Sequence, residues 1–268
     1  MKKFLVPTDF SENANNAIKY AIELARLLEA SITLVHTYKV YSTSGMFLSV
    51  ESYLKRDAAK QMLETYEKVE QKIGKERVES KIIRGDTIPV IVDMANKSDY
   101  DLIIMGTQGA NGLAEIFTGT NTNGVLKKST KPVLAIPAGY QYKPIEKIVL
   151  AVDQKSLTAS TILIPLIKIA QKTQAHIGIF HKDHGSEFVS LDSSLKKQLD
   201  TIEYSYHYDL DDDNLKESIN QFVKDYKAEM LSMVRRQRSF LEQVFHVSAT
   251  TKEVFNSSVP LLILQDKE

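Results

Sequence analysis

Lys3-Phe4-Leu5-Val6-Pro7-Thr8-Asp9 returns in outline as Lys147-Ile148-Val149-Leu150-Ala151-Val152-Asp153. Each is a short apolar run that ends on an aspartate. Two further pairs follow in the same order. Ser98-Asp99-Tyr100-Asp101-Leu102-Ile103-Ile104-Met105 resembles Asp225-Tyr226-Lys227-Ala228-Glu229-Met230-Leu231-Ser232-Met233. Lys131-Pro132-Val133-Leu134-Ala135-Ile136 resembles Val259-Pro260-Leu261-Leu262-Ile263-Leu264. Three matched pairs in one order indicate a duplication with a period near half the chain. Between the copies, residues 137–144 hold Gly139 and two prolines, which is linker composition. The expected division is a domain over 1–138, a linker over 139–145 and a second domain over 146–268.

Within the first half, short apolar runs alternate with helical patterns. A strand over 3–7 is followed by a helix with Ser11 as its cap and Ala14, Ala17, Ile18, Ala21, Leu24, Ala25 and Leu28 at helical spacing. The second strand is expected over 31–36, followed by a long loop and a helix over about 57–73. A third strand covers 78–83. Thr87-Ile88-Pro89 opens the next helix, where proline is tolerated in the first turn. Strands over 102–105 and 133–136 complete the half. Such alternation predicts an α/β fold of two tandem open, mostly parallel five-stranded sheets with helices on both faces. Ligands of such sheets sit beyond the carboxyl ends of the strands, where the winding reverses.

The 268 residues suffice for two domains, each with its own core. Hydrophobic residues at 43% and charged residues at 25% are the composition of a soluble globular chain. The 34 basic and 34 acidic side chains cancel, which gives no electrostatic reason to expect nucleic acid or an anionic membrane as partner. The chain has no cysteine, which excludes disulfides and thiolate metal sites. After Met1-Lys2-Lys3 the apolar run Phe4-Leu5-Val6 is too short for a signal core, and a cytoplasmic location is expected.

Glycine is placed unevenly. Of 11 glycines, five lie from Gly106 to Gly124, and only Gly178 and Gly185 fall after residue 140. The rich segment leaves the fourth strand at Gly106, passes Gly109, Gly112 and Gly119, and enters a helix through Thr120, Asn121 and Thr122. Glycines let a backbone approach phosphate oxygens closely. The free N–H groups and dipole of a helix N-terminus favour an anion, and the hydroxyls of Thr120 and Thr122 and the Asn121 amide add donors. A mobile loop with a glycine helix cap is the plainer alternative for any one of these positions.

Gly106, Gly109, Gly119 and Thr120 have the spacing glycine, two residues, glycine, nine residues, glycine, then serine or threonine. In this the chain resembles the nucleotide-binding universal stress proteins. Val6-Pro7-Thr8-Asp9-Phe10-Ser11 looks like that family's first strand and turn, and Leu34-Val35-His36-Thr37 like its second strand. The resemblance covers residues 1–138 and reaches the second half through the repeat. It implies a Rossmann-like fold of the adenine nucleotide alpha hydrolase type, binding ATP, ADP or AMP together with Mg2+. Asp9 would lie beside the adenine and ribose, with Pro7 and Thr8 lining the base pocket. Thr37 would read the adenine edge with its backbone. Met105 and Gly106 would pass near the ribose, while Gly109, Gly119, Thr120 and Asn121 would hold the phosphates. Association through the last strand is common in that family, so a pseudo-dimer of the two halves is expected, with a homodimer and an unidentified protein partner as further possibilities.

The second copy departs from this pattern. The stretch from Met233 to Thr250 contains no glycine, and its bulky residues block close backbone approach, so binding by the same mode is not expected there. Its strand over 261–264 is expected to pair with the other half or with a second chain. His181-Lys182-Asp183-His184 reads as a surface loop rather than a metal site. Asp209, Asp211, Asp212 and Asp213 lack the loop glycine and terminal glutamate of an EF-hand and read as helix-starting acids. Met46, Phe47, Leu48, Val50, Tyr53 and Leu54 form an apolar stretch in the long loop, either a partner-binding flap or packing over the sheet edge. Lys127, Lys128 and Lys131 read as a solvated helix end. No nucleophile, base and acid can be assembled into a hydrolase set, so hydrolysis is expected to be weak at most. A slow ATPase in the same pocket and a nucleotide-independent scaffold are the alternatives to a stress-response or signalling module.

Overall fold

Residues 3–7 form the middle strand of one half of a continuous sheet. The computed structural model describes residues 1–39, 47–107, 120–152, 159, 161–182, 193–209, 215–236 and 257–266. The first half runs β1 (Lys3–Pro7), α1 (Glu12–Leu28), β2 (Ser31–Tyr38), α2 (Phe47–Ile73), β3 (Val78–Arg84), α3 (Thr87–Lys97), β4 (Leu102–Gly106), α4 (Thr120–Lys128) and β5 (Val133–Ile136). The second runs β6 (Lys147–Val152), α5 (Ile164–Thr173), β7 (His176–Lys182), α6 (Ser193–Leu199), β8 (Tyr204–Asp209), α7 (Leu215–Tyr226), β9 (Met230–Arg235) and β10 (Leu261–Gln265).

The strand order is β3-β2-β1-β4-β5-β10-β9-β6-β7-β8. Each half is parallel and winds in the same order, as the alternation predicts. Each half forms one of the two expected five-stranded parallel arrays, and the two join edge to edge into a single ten-stranded sheet rather than remaining two. β10 pairs antiparallel with β5, Leu261 opposite Ala135, Leu262 opposite Leu134 and Ile263 opposite Val133. The reason is edge protection: Val133–Ile136 and Leu261 to Leu264 are buried throughout, and an unpaired apolar edge strand would expose both backbone and side chains.

Strand β1 shows why the sheet is covered on both faces. Phe4 and Val6 pack into one core cluster, whereas Leu5 packs into the other. The alternation of side chains along a strand makes an uninterrupted apolar run the signature of a strand buried on both sides. Helix α1 starts where expected, with Ser11 Oγ accepting from the Ala14 N–H at 3.2 Å. It ends at Glu29, whose φ of 55° lets its N–H reach the Ala25 carbonyl.

Helix α2 differs from expectation. It begins at Phe47 rather than near residue 57, so the apolar stretch 47–54 is helical rather than loop. Glu51 bonds Arg84 at the end of β3, Nη1 to Oε1 at 3.2 Å, which holds this extension beside the sheet. Tyr53 on it is 70% exposed.

Equivalent carboxylates tie down the two central strands. The Lys2 and Lys3 N–H groups donate to Asp101 Oδ2 at 2.6 and 3.1 Å. The Glu146 and Lys147 N–H groups donate to Glu229 Oε2 at 3.1 and 2.9 Å. The linking segment is pinned too. The Tyr142 ring meets Tyr20 of α1 edge-on at 5.2 Å, and the Tyr140 hydroxyl donates to the Glu229 carbonyl at 3.2 Å. Burial, then the Glu229 charge, pushes the Tyr140 phenol up to about 12.

Candidate functional site

The winding of the first half reverses between β1 and β4. From β1 the chain moves out to β2 and β3, then crosses back so that β4 lies on the other side of β1. Leu5 stands level with Ile103, so β1 ends at Pro7 beside the carboxyl-terminal part of β4, which runs through Met105 to Gly106. The switch point lies there, at the carboxyl ends, where a crevice is the usual ligand seat of such sheets. Five sequence-predicted residues, Pro7, Thr8, Asp9, Met105 and Gly106, meet at this point. Thr8 and Met105 are buried, while Asp9 is exposed.

The turn after β1 is built tightly. The Thr8 N–H donates to the Val35 carbonyl at 2.8 Å, and Thr8 Oγ1 accepts from the Phe10 N–H at 3.0 Å. Asp9 Oδ1 accepts from the Ser11 N–H at 3.0 Å, the geometry of a turn-forming aspartate. Phe10 holds φ at 64°, a left-handed conformation that costs a non-glycine residue roughly 1–2 kcal/mol. Its ring stacks on His36 at 4.5 Å, and His36 Nδ1 lies 2.8 Å from the Thr8 carbonyl. Sequence reasoning missed Phe10 and His36 as the support of this turn, since a left-handed phenylalanine has no compositional signal.

Strand β2 continues beyond β1. The ladder between them ends at Pro7 opposite Val35, while β2 stays paired with β3 as far as Tyr38 opposite Arg84. Thr37 therefore flanks the mouth of the crevice. Its hydroxyl is engaged with that of Thr87, Oγ1 to Oγ1 at 2.7 Å.

Gly106 closes β4 against α1. A Cβ on it would stand 2.5 Å from Asn13 Nδ2 and 3.0 Å from the Asn13 carbonyl oxygen, so close helix approach alone requires glycine here. Gly124 is constrained similarly, its Cβ direction ending 2.3 Å from Ile88 Cδ1 of α3. Thr122, expected to add a donor toward phosphate, is buried and gives its hydroxyl to the Gly106 carbonyl at 2.7 Å. It holds the first turn of α4 to the end of β4 instead of facing a ligand.

Thr120 and Asn121 are exposed at the start of α4. No acid stands in the first turn of this helix, and Lys127 and Lys128 occupy its last. Its first N–H groups have no intrahelical acceptor, and its positive dipole end is uncompensated by side chains of its own first turn. Gly109, Gly112 and Gly119 lie outside the described residues.

In the second half, counting from Asp101 and Glu229, Gly106 corresponds to Val234, which is buried. Arg236 and Asp266 form a buried ion pair at the ends of β9 and β10, Nε to Oδ2 at 2.6 Å. Asp153 and residues 237–250 lie outside the described residues. His181 is not in a loop as expected; it belongs to β7 and is buried. Asp183, His184, Asp211, Asp212, Asp213 and Met46 lie outside the described residues, and Asp209 ends β8. Among the described residues no group of three or more His, Asp or Glu side chains is placed to hold a metal ion. No helix among them is long and apolar enough to cross a membrane.

A family model described as the universal stress protein family matches residues 1–137. The chain is 33% identical over 153 residues to a universal stress protein of Methanocaldococcus jannaschii, covering 50% of this chain and 94% of that one. It is 35% identical over 129 residues to one from Helicobacter pylori, covering 46% of this chain and 91% of that one. Among solved structures, a universal stress protein from Archaeoglobus fulgidus matches with a TM-score of 0.73, covering 98% of this chain and 96% of the other. Identity there is 18%, so this likeness speaks for the fold alone.

Proposed function

The chain belongs to the universal stress protein family, and we propose that it binds ATP in the crevice between β1 and β4 and serves as a cytoplasmic stress-response or signalling module. The observation that carries this reading is the bond from Thr122 to Gly106, which fixes the N-terminus of α4 beside the carboxyl end of β4. A helix N-terminus so placed meets an anion with unpaired N–H groups and a favourable dipole. The base and ribose lie against Pro7, Thr8, Asp9 and Met105, beside the backbone of Thr37. The phosphates follow the segment from Gly106 through Gly109 and Gly119 to Thr120 and Asn121.

Mg2+ enters with the triphosphate, whose oxygens are its natural hard ligands. What this chain contributes is orientation: exposed Asp9 at the ribose end and the α4 N-terminus at the phosphate end. The two halves act as tandem domains over 1–138 and 146–268, and β5 and β10 join them as an internal pseudo-dimer.

Replacement of Gly119 by valine tests the reading, because a branched side chain in the loop obstructs backbone approach to phosphate. The expected result is a loss of about tenfold or more in ATP affinity, equivalent to roughly 1.4 kcal/mol. Unaltered affinity in a folded G119V protein would remove the loop from the site.

A further inference from the structure

The helix whose N-terminus faces the loop is finished at its other end by the opposite half of the chain. α4 has nine residues, too few for a helix to persist without tertiary support. The last carbonyls of any helix lack intrahelical donors. Here the Leu126 carbonyl accepts from Gln265 Nε2 at 3.2 Å, and the Lys127 carbonyl accepts from Arg235 Nη1 at 3.3 Å. Val125 is already served by the Ser129 N–H at 2.8 Å.

Gln265 and Arg235 end β10 and β9 and stand opposite each other in that ladder. They come as a pair from the partly buried ends of two strands of the second half, brought within reach by the antiparallel joint of β5 and β10. A guanidinium at a helix C-terminus also complements the negative end of its dipole. α4 is thus held at one end by Thr122 on Gly106 and at the other by two side chains from beyond the joint.

We propose that Arg235 and Gln265 are positioning residues for the phosphate end of the nucleotide site, a contribution of the second half to binding in the first. This rests on the ATP-binding reading above. It gives the glycine-free half a part in binding that needs no ligand of its own: it sets where the N-terminus of α4 sits, and so how well that terminus meets phosphate. The base and ribose contacts come from the strands β1, β2 and, at Met105, β4 rather than from α4 itself, so this hold acts first on the phosphate end.

The test compares ATP with adenosine in the full-length chain. ATP with Mg2+ is titrated by calorimetry, and adenosine is measured by displacement of a fluorescent ATP analogue. Arg235→Ala and Gln265→Ala are each expected to weaken ATP binding roughly two- to fivefold, and the double variant roughly tenfold, with adenosine affinity unchanged. Arg235→Lys, which keeps a cationic donor, restores most of the loss. Gln265→Glu, of the same shape but without the donor and with a charge that opposes the helix dipole, loses at least as much as Gln265→Ala. Should an alanine variant fail to fold, the lysine and glutamate variants carry the same comparison. Wild-type ATP affinity in all variants overturns the proposal, as does an equal fall for ATP and adenosine. Absence of ATP binding in the unaltered chain overturns the reading beneath it as well.

Discussion

The Thr122 hydroxyl donates to the Gly106 carbonyl across 2.7 Å, joining the first turn of α4 to the last residue of β4. The connection between β4 and α4, residues 107–119, contains three further glycines, so the placing of α4 against β4 owes much to this bond and to packing. The bond keeps the N-terminus of α4 beside the carboxyl end of β4.

Replacing Thr122 with valine keeps its shape and removes the donor. The buried bond is worth about 1–2 kcal/mol, so unfolding stability should fall by that amount, read by urea denaturation. ATP affinity should fall with it, and Thr122→Ser should recover both. Equal stability of T122V and the unaltered protein would show the bond to be incidental.

Gly106→Ala tests close approach directly. The new methyl would sit 2.5 Å from Asn13 Nδ2 and 3.0 Å from the Asn13 backbone oxygen. The side-chain amide can turn away, but the backbone can yield only by shifting the start of α1. A loss of about 1–3 kcal/mol is expected, the usual range for overpacking. Calorimetric melting of G106A reads it, and an unchanged transition would mean that α1 yields freely.

The pair Arg236 and Asp266 is buried at the ends of β9 and β10. Asp266→Ala leaves a buried guanidinium without its carboxylate, at a cost of about 3–5 kcal/mol. Substituting Arg236 and Asp266 together by apolar residues should cost less than the single change. A single D266A variant as stable as the parent would show the pair to be solvated in solution.

His207 supplies a pH dependence. Burial, and after it the neighbouring His176, holds its imidazole below the ordinary value of 6.5. Its Nε2 lies 2.9 Å from Ser205 Oγ and its ring packs on Phe222 at 4.6 Å. A base whose folded pKa is depressed binds its proton more readily when unfolded. Its contribution to stability is therefore intact above 6.5 and is lost as pH falls from there through the folded value. Urea midpoints between pH 8 and pH 5 should decline less steeply in His207→Gln than in the parent; parallel declines would remove His207 from the account.

Much of this fold can be read from residue order. The spacing from Ala14 to Leu28 and the cap at Ser11 place α1, because a helix buried on one face writes a period of 3.6 into its sequence. Strand β5 is found at its observed limits because it is four apolar residues bounded by a proline on each side. The start of α2 is hidden because residues 47–54 are too apolar and aromatic to resemble a solvated helix. Joining of the halves into one sheet is left open by the sequence, since Leu261 to Leu264 state a need for burial without stating which strand supplies it. At the candidate site, the position of Pro7 to Asp9, Met105 and Gly106 at strand ends is legible from the apolar runs that precede them, whereas their roles toward a nucleotide are only what the family resemblance implies. The inward turn of Thr122 is not, since a hydroxyl near a helix N-terminus serves a ligand or a backbone carbonyl equally well.

Titration of nucleotide-stripped protein with ATP and Mg2+ by calorimetry, read for stoichiometry as well as affinity, tests the central claim most directly. One site per chain, abolished or strongly weakened in G119V, is the predicted result. Two sites per chain would contradict the assignment of binding to the first half alone, and no heat with no shift in melting temperature would contradict nucleotide binding itself.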